Sequence, residues 1–561
     1  MTQRATQKPE PGQPDAVVPC NGRNACCRVK KLAGAIVFDP DLLRAQLSSA
    51  AQTNEWSGVI SLPLVPIHTI LLANGNVLMW NHGHNDLVDP NTGQRFVKDD
   101  PTPYLWNPLA PTNANNPILL RVPDLFANGE HSDEIYCSGH SLLSDGRVLV
   151  AGGHLSKFNS DRSNKINLEV TGSPQIHFFD YTSNTWLLNQ TQMNEGRWYP
   201  STMPMGNGNN LIVGGIINQE VDGSFMYNPI PQIYNAANGT IVTLSNASRL
   251  VPTYPWMYAR PGGAVESRAF YAGPGPDTGF LTLTGQGSWG PTIPTYYGFL
   301  RSPGGVHQST SVLYDEGKIL NVGGVNMSGL TDPSTAPPTN TAEAIDLKLT
   351  APSWRAVAPM NYPRQHHTAT LLPDGKVLVT GGSSASGFSN VSGAVYAAEM
   401  WDPAAQTFSL MASMSVPRLH HSVALLLPDG RVLVGGGGET GFPGEVNHRD
   451  VQFYSPPYLF KGARPVITSL NTSIINYGQP FLIGTTANNI AKVVLIRLGA
   501  VSHGFNFNQS VSQLNFKKRN SANVLDVTAP IDRNIVPPGH YMLFIVTGSG
   551  IPSAAKIVQI T

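Results

Sequence analysis

Charged residues are scarce in this chain of 561 residues, where they make up only 13% of the sequence. The 36 basic residues equal the 36 acidic ones, so the formal net charge is zero and does not favour a nucleic acid as a partner. No apolar run approaches the roughly 20 residues that cross a bilayer, so we also expect no membrane partner. The polar, proline-rich residues 1–14 lack the apolar core of a signal peptide, which leaves the compartment open.

Cysteine is rare as well, with four residues in the whole chain. Cys20, Cys26 and Cys27 lie in one short segment, whose spacing matches no zinc-binding pattern and is most simply interpreted as a local disulfide. Cys137 stands alone, and a solitary cysteine in a structured repeat is usually a small buried apolar residue. By themselves the cysteines therefore assign no site.

Glycine and proline are abundant, at 55 and 46 residues, as expected for many short strands joined by tight turns. One phrase recurs: a turn containing glycine, an apolar strand, and in most copies a pair of glycines. The Asp-Gly or Asn-Gly of the turn supplies the positive φ angles of a hairpin, and the apolar run is typical of a buried central strand. The turn glycines of the copies are Gly75, Gly146, Gly208, Gly279, Gly317, Gly375 and Gly430.

A second phrase lies between copies: an aromatic residue, then a methionine, then an arginine. Its arginines include Arg197, Arg364 and Arg418. Four strands per unit, at spacings near the kelch period of about 50 residues, predict an all-β fold built on a seven-bladed kelch-type β-propeller.

The repeat ends after Pro456-Pro457-Tyr458, and short strands separated by turns follow from about Arg464 onward. This pattern predicts a C-terminal immunoglobulin-like β-sandwich. We therefore expect an N-terminal tail and cover segment over residues 1–55, with a short helix near 41–51. The propeller would cover residues 56–462, and an immunoglobulin-like domain of the early-set type residues 463–561.

Three chemically reactive residues occupy the same place in different repeats. Each lies nine residues before its turn glycine: Cys137 before Gly146, Tyr199 before Gly208 and His421 before Gly430. The innermost strands of a propeller line its channel, so residues that enter these strands can converge at one end. Measured from Arg418, the equivalent residue is His420 instead. This difference indicates one inserted residue, which in a strand is a β-bulge. A bulge can turn both His420 and His421 inward. Imidazoles beside a phenol suit copper.

These residues, with their neighbours, resemble the galactose oxidase and glyoxal oxidase family of copper radical oxidases. The resemblance covers nearly the whole chain from about residue 60. It is carried by Tyr136-Cys137-Ser138-Gly139, Arg197-Trp198-Tyr199, His421 in its Pro-Asp-Gly repeat, Pro456-Pro457-Tyr458-Leu459 and Gly499-Ala500-Val501-Ser502-His503.

The resemblance implies a function and a set of roles. A thioether bond would join Cys137 to Tyr199, and the modified tyrosine would be both a copper ligand and the seat of a radical. His421 and His503 would be the histidine ligands, the latter on a loop of the sandwich that reaches into the channel. A primary alcohol or an aldehyde, possibly a carbohydrate, would be oxidised with dioxygen to give hydrogen peroxide. The resemblance also implies an extracellular protein.

The sequence departs from the family at two places. The family has a second, axial tyrosine immediately before the propeller histidine, and here that position is His420. We expect His420 to act as an axial ligand or as a base, with an unperturbed pKa near 6.5 against about 10 for tyrosine. The aromatic residue that covers the thioether bond in the family falls at Ile217.

Other interpretations stay open at this point. His366-His367 precede another repeat, so His420-His421 could be ordinary repeat residues. The chain could be a non-catalytic kelch protein with a binding or structural role, because function does not follow from fold. It could also be a copper-binding homologue without radical chemistry. The substrate and the oligomeric state are not specified by the sequence, since the loops that would select a substrate, such as 331–341, carry no readable motif.

Overall fold

The structure, a computed structural model, describes residues 30–32, 35–37, 55–81, 84–88, 95–99, 103–109, 120–121, 127–128, 131–158, 165–166, 171–187, 191–220, 222–263, 268–302, 309–330, 332–439, 445–519 and 523–561. Over these residues the chain is all-β, with short 3-10 helices at Pro333–Thr335, Val391–Gly393 and Pro457–Phe460. No helix in these ranges is long and apolar enough to cross a membrane. The predicted helix near 41–51 and the three cysteines before residue 30 lie outside the described residues.

Most strands form antiparallel meanders, numbered here sheets 1 to 7 in chain order. Sheet 1 contains His68–Leu71, Val77–Trp80, Tyr104–Trp106 and Leu120–Arg121; sheet 2 contains Gly139–Leu142, Val148–Ala151, Ile176–Asp180 and Thr185–Leu187; sheet 3 contains Ser201–Pro204, Asn210–Val213, Gln232–Asn235 and Thr240–Thr243. Sheet 4 contains Met257–Ala259, Arg268–Tyr271, Asp277–Thr282 and Ser288–Pro294; sheet 5 contains Thr310–Asp315, Lys318–Val322, Ala342–Asp346 and Arg355–Val357; sheet 6 contains Gln365–Leu371, Val377–Ser383, Ala397–Asp402 and Thr407–Ser413.

Sheet 7 joins the two ends of this series. Its strands Ser422–Leu426, Val432–Gly436 and Asp450–Ser455 are followed by Glu55–Trp56 and Ile60–Ser61, which both pair with Asp450–Ser455. A strand from before sheet 1 therefore completes the last sheet. The first strands of sheets 2, 3 and 4 lie beside one another, as do those of sheets 5, 6, 7 and 1.

Smaller sheets lie outside the meanders. They are formed by Lys30–Leu32 with Ala35–Val37, by His84–Val88 with Arg95–Asp99, by Ile216–Gln219 with Phe225–Tyr227, and by Ala127–Asn128, His131–Glu134, His154–Phe158 and Lys165–Ile166.

The predicted glycine turns connect the first and second strands of every numbered sheet except sheet 4. There the prediction is wrong, because Gly279 lies inside the third strand, Asp277–Thr282, which follows the paired strands Met257–Ala259 and Arg268–Tyr271. The third strand of a meander is as apolar and as buried as the second, so a glycine before an apolar run does not identify which strand follows it.

A buried arginine lies before the first strand of sheets 3, 5, 6 and 7 and bonds to the second strand region of the same sheet. The guanidinium of Arg197, Arg301, Arg364 or Arg418 donates from Nη1 to the carbonyl of a glycine at or near the end of the second strand, at 2.7 to 3.0 Å: Gly214, Gly323, Gly381 and Gly436 respectively. Arg364 also pairs with the fully buried Glu399 at 2.9 Å. The arginine of the second sequence phrase thus donates to the backbone carbonyls of the glycines near the end of the second strand.

Residues after 463 form two packed sheets with their own apolar core. One contains Ile467–Leu470, Pro480–Thr485, Val524–Thr528 and Phe516–Lys518; the other contains Ile474–Ile475, Lys556–Ile560, Gly539–Thr547, Ile490–Arg497 and Val511–Leu514.

A hairpin of Ala500–Ser502 and Phe505–Asn506 leaves these sheets and adds to sheet 1, where Ala500–Ser502 pairs with His68–Leu71. At its tip the carbonyl of Gly504 accepts a hydrogen bond from Thr310 Oγ1 of sheet 5 at 2.7 Å. The hairpin therefore lies among the first strands of several sheets.

Candidate metal centre

Cys137, His421 and His503 converge in the interior of the protein. The Sγ atom of Cys137 and one ring nitrogen of each histidine all lie within 4.8 Å of one another, and all three side chains are buried. Sγ is 3.6 Å from Nε2 of His503. These residues come from sheet 2, sheet 7 and the tip of the C-terminal hairpin, so repeat symmetry brings two of them together and the hairpin supplies the third.

The backbone holds each of these residues in the left-handed region. The φ angle is 54° at Cys137, 62° at Tyr199, 65° at His421 and 50° at His503. Non-glycine residues rarely adopt this conformation, and clusters of it are common at functional sites, where the surrounding structure offsets the strain. In sheets 2, 3 and 7 the residue stands immediately before the first strand or one residue earlier, which aims its side chain away from the strand face.

Both histidines present Nε2 to the centre of the cluster. His421 Nδ1 donates to the carbonyl of Gly438 at 2.5 Å, which leaves the lone pair on Nε2. Ser502 Oγ donates to the carbonyl of Ile67 at 3.0 Å and therefore accepts from His503 Nδ1 at 2.6 Å, with the same result for His503. Burial lowers the pKa of His421 to about 4, so its imidazole is neutral near pH 7. Imidazoles oriented in this way are ready-made metal ligands.

Tyr199 lies beside Cys137 in both backbone and side chain. Its N–H donates to the carbonyl of Cys137 at 2.8 Å, and its phenol interacts with the thiol of Cys137. Its ring centroid lies 5.3 Å from that of His503. Burial, followed by the nearby Cys137, raises the pKa of Tyr199 well above its ordinary value. An unmetallated phenol here therefore stays protonated at neutral pH.

His420 reaches the same cluster from a different side. Its ring centroid is 4.0 Å from that of His421 and 5.1 Å from that of His503, and it also packs on Phe388 at 4.6 Å and His366 at 5.0 Å. The inserted residue lies in a turn, where Ser422 N–H donates to the carbonyl of Leu419 at 3.0 Å. The strand that follows pairs without a shift, so the expected bulge within the strand is wrong.

Several aromatic residues of the site were not singled out from the sequence. Trp198 packs on Tyr199 with ring centroids 4.4 Å apart, and pairs through its backbone with Ile216. Ile217 is half-buried and has no aromatic ring. Trp198 therefore supplies an aromatic neighbour of Tyr199 in its place. Tyr254 lies on another side of Tyr199, at 5.0 Å. The signal available for Trp198 was its position next to Tyr199.

His366 also belongs to this neighbourhood, and the register contained the signal for it. It lies nine residues before Gly375, as Cys137 does before Gly146, and its φ is 57°. His366 thus occupies the repeat position of Cys137, Tyr199 and His421. Its place in the repeat does not argue against a site, because the same repeat position faces the cluster.

A second pair of buried histidines lies next to Cys137. His68 Nε2 accepts the backbone N–H of Cys137 at 3.0 Å, and its Nδ1 lies 3.0 Å from Nε2 of His140. The ring of His68 stacks on Trp80 at 4.8 Å, nearly parallel. Burial and the neighbouring His140 lower the pKa of His68 well below its usual range. This pair orients Cys137 and takes no part in the cluster of donor atoms.

Comparisons with known proteins agree with this geometry. The family described as "Glyoxal oxidase N-terminus" matches residues 307–458, and the family described as "Galactose oxidase-like, Early set domain" matches residues 464–560. A galactose oxidase of Gibberella zeae is 28% identical over 534 residues, which cover 90% of this chain and 70% of that protein. An aldehyde oxidase, GLOX, of Vitis pseudoreticulata is 26% identical and covers 76% of this chain and 82% of its own.

A solved structure has a similar fold. It is described as a novel fungal alcohol oxidase with catalytic diversity among the AA5 family, in complex with copper. The two chains superpose with a TM-score of 0.72 at 25% sequence identity, over 91% of this chain and 100% of the other. The all-β architecture described above is thus shared with a copper protein.

Proposed function

Because the chain is a relative of the galactose oxidase and glyoxal oxidase family, we propose that it is a copper-dependent oxidase. It would oxidise a primary alcohol or an aldehyde hydrate with dioxygen and release hydrogen peroxide. The observation that carries this proposal is the convergence of two imidazole Nε2 atoms and the Cys137 sulfur within 4.8 Å, beside the phenol of Tyr199.

The donor set fits copper. Two neutral imidazoles and a phenol oxygen are ligands that Cu(II) accepts in tetragonal geometry. His421 and His503 would hold the metal through Nε2, each fixed in orientation by the hydrogen bond at its Nδ1. Tyr199 would bind through its phenol oxygen, and metal binding would offset the burial that now keeps this phenol protonated.

Each residue has a role in the balanced reaction. The alcohol loses two electrons and two protons, and dioxygen gains them as hydrogen peroxide. Tyr199, joined to Cys137 by a thioether bond and present as its radical, would take a hydrogen atom from the carbinol carbon, and His420 would accept the hydroxyl proton or serve as a further metal ligand. Copper held by these residues would supply the second one-electron acceptor and the redox chemistry that dioxygen reduction needs. The ring of Trp198 would shield the radical from water.

Domain organisation is part of the same proposal. Sheets 1 to 7 would form a seven-bladed kelch-type propeller over residues 56–462, closed by the pairing of Glu55–Trp56 with Asp450–Ser455. The C-terminal immunoglobulin-like domain of the early-set type would cover residues 463–561, supported by its separate apolar core. Its hairpin would run along the propeller axis and deliver His503 to the metal.

One geometric observation supports a second candidate. The Cys137 sulfur is itself within reach of both histidine nitrogens, and a thiolate with two imidazoles is a known copper ligand set. In that case the protein would bind copper through Cys137 directly and would lack radical chemistry. A non-catalytic kelch protein would do neither.

A peptide mass map separates these candidates. The full chain is purified without metal, loaded with Cu(II) in the presence of dioxygen, and digested. A cross-linked Cys137 and Tyr199 peptide that lacks two hydrogens supports the oxidase, whereas an alkylatable Cys137 after copper and oxygen contradicts it. Peroxide release over a panel of primary alcohols, sugars and aldehydes then identifies the substrate class.

A further inference from the structure

Tyr136 places a second phenol oxygen at the candidate metal centre. Its Oη lies 3.3 Å from Nε2 of His421, which is the nitrogen that carries the lone pair. The two rings meet edge to face, with centroids 5.8 Å apart and planes at 78°. The phenol also interacts with the side chains of Cys137 and Tyr199. Tyr136 thus contacts three of the residues proposed to form the site.

The backbone on both sides of Tyr136 is fixed. The carbonyl of Ile135 accepts hydrogen bonds from Trp80 Nε1 at 3.0 Å and from Ser138 Oγ at 2.7 Å. Cys137, the next residue, donates its N–H to His68. Because the turn is held at both ends, the buried ring of Tyr136 points into the cluster without rearrangement of the main chain.

His420 is placed differently with respect to the same cluster. Its ring packs between His421 and His503 on one side and His366 and Phe388 on the other. Its ring nitrogens do not belong to the group of donor atoms that lie within 4.8 Å of one another in the described part of the chain. The ring nitrogens of His420 are therefore not among the converging donor atoms, whereas the phenol oxygen of Tyr136 lies beside one of them.

We propose that Tyr136 Oη is a ligand of the bound copper, so that the site has two phenol and two imidazole ligands although His420 stands where the sequence would place the second tyrosine. The proposal rests on the proposed function and assigns a position that neither the repeat nor the resemblance had assigned. Two oxygen and two nitrogen donors form a set that Cu(II) prefers. His420 then remains available as the proton acceptor.

The test is an anaerobic titration of the metal-free full-length protein with Cu(II), so that no cross-link can form during the measurement. Tyr136→Phe removes only the hydroxyl oxygen. We expect its copper affinity to fall at least about tenfold, as for the loss of a group that orients or binds a metal. The visible absorption that phenolate-to-copper charge transfer produces is expected to weaken, and the copper hyperfine splitting in the electron paramagnetic resonance spectrum to change.

Two further variants serve as controls. Tyr258→Phe removes an equally buried hydroxyl that donates to Ser311 Oγ at 2.8 Å away from the cluster, and it should retain wild-type affinity and spectrum. His420→Phe tests the competing assignment: the proposal predicts that it weakens copper affinity less than Tyr136→Phe does. If His420→Phe loses affinity and Tyr136→Phe does not, His420 is the ligand and the proposal is overturned.

Failure of the proposal can be told apart from failure of the proposed function. If the wild-type protein binds no copper, both are wrong. If wild type and Tyr136→Phe bind copper equally, with identical spectra, and both form the Cys137 cross-link once oxygen is admitted, the oxidase stands and the role of Tyr136 is refuted. Should Tyr136→Phe be poorly folded, Tyr136→His offers a ring nitrogen at the same place. This variant is expected to bind copper but to lack the charge-transfer absorption of the Tyr136 phenolate.

Discussion

The backbone N–H of Cys137 donates to Nε2 of His68, a histidine buried in the first strand of sheet 1. Since Nε2 of His68 accepts, the proton of the ring is on Nδ1, which donates to Nε2 of His140 at 3.0 Å. A chain of two neutral histidines therefore connects the interior of sheets 1 and 2 to the residue that would form the thioether bond. This chain fixes Cys137 in its left-handed conformation.

Replacement of His68 should disturb the site without removing any proposed ligand. In His68→Leu the N–H of Cys137 loses its acceptor, and we expect copper affinity to fall roughly ten- to a hundredfold, the range for partners that orient ligands. The rate of cross-link formation should fall in parallel. Equilibrium copper titration and timed mass mapping measure the two effects. His68→Gln, which retains an acceptor, is the matched control, and equal loss in both variants would contradict the positioning role.

The proposed cross-link predicts that Cys137 and Tyr199 act as a unit. Cys137→Ser and Tyr199→Phe should each lower peroxide production by roughly a thousandfold or more, and the double variant should be no worse than the worse single one, because residues that act together are strongly non-additive. Peroxide release under saturating dioxygen is the measurement. Additive losses would indicate that the two side chains work independently.

The replacement of the axial tyrosine by His420 predicts a gain of function. His420→Tyr should raise turnover, by up to about a hundredfold if proton transfer from the substrate limits the rate. Its effect on copper affinity should be small, since Tyr136 is proposed as the phenol ligand. His366→Tyr, at the repeat position that packs against His420, is the control and should not raise turnover. Initial rates of peroxide release across alcohols and aldehydes test this.

Buried arginines predict a pair of opposite effects on stability. Glu399 compensates the charge of Arg364, so Glu399→Gln should destabilise the fold by about 3–5 kcal/mol, the scale for breaking a buried ion pair. Arg197 is equally buried but faces the neutral Gln232 at 3.3 Å, and burial lowers its pKa to about 9. Gln232→Glu should therefore raise the thermal midpoint. A lower midpoint would show that the carbonyl partners of Arg197 already suffice.

Buried neutral histidines make stability dependent on pH. Burial lowers the pKa of His177 in sheet 2 to about 4, against about 6.5 when unfolded. As the pH falls below about 6.5, the unfolded chain binds the extra proton before the folded protein does. The contribution to stability is therefore complete above about pH 6.5 and decreases from there towards pH 4. At pH 5 the loss from one such histidine is about 2 kcal/mol. In metal-free protein the thermal midpoint of His177→Phe should fall less between pH 7 and 5 than that of the wild type.

The repeat could be read from the chain because it depends on local chemistry. A glycine turn before an apolar run formed the predicted hairpin in every numbered sheet except sheet 4, and the arginine phrase recurs because each unit has the same carbonyls to satisfy. Cys137, Tyr199 and His421 were found because equivalent repeat positions adopt equivalent backbone conformations, here with positive φ. The same rule applied to His366 would have found that residue too. The third strand of sheet 4 misled the prediction, since burial on both faces makes central strands alike.

By itself, then, the sequence determined an all-β repeat, the positions that face a common centre, and the residue types that suit copper. Only the tertiary structure decided which side chains complete that centre. Tyr136 reaches His421 across 285 residues of chain, and His68 holds Cys137 across 69. Their side chains point inward because a turn and a neighbouring sheet hold them there, and the nine-residue register that identified Cys137, Tyr199 and His421 does not include these two residues. The oxygen that the sequence leaves missing beside His421 is thus supplied from sheet 2.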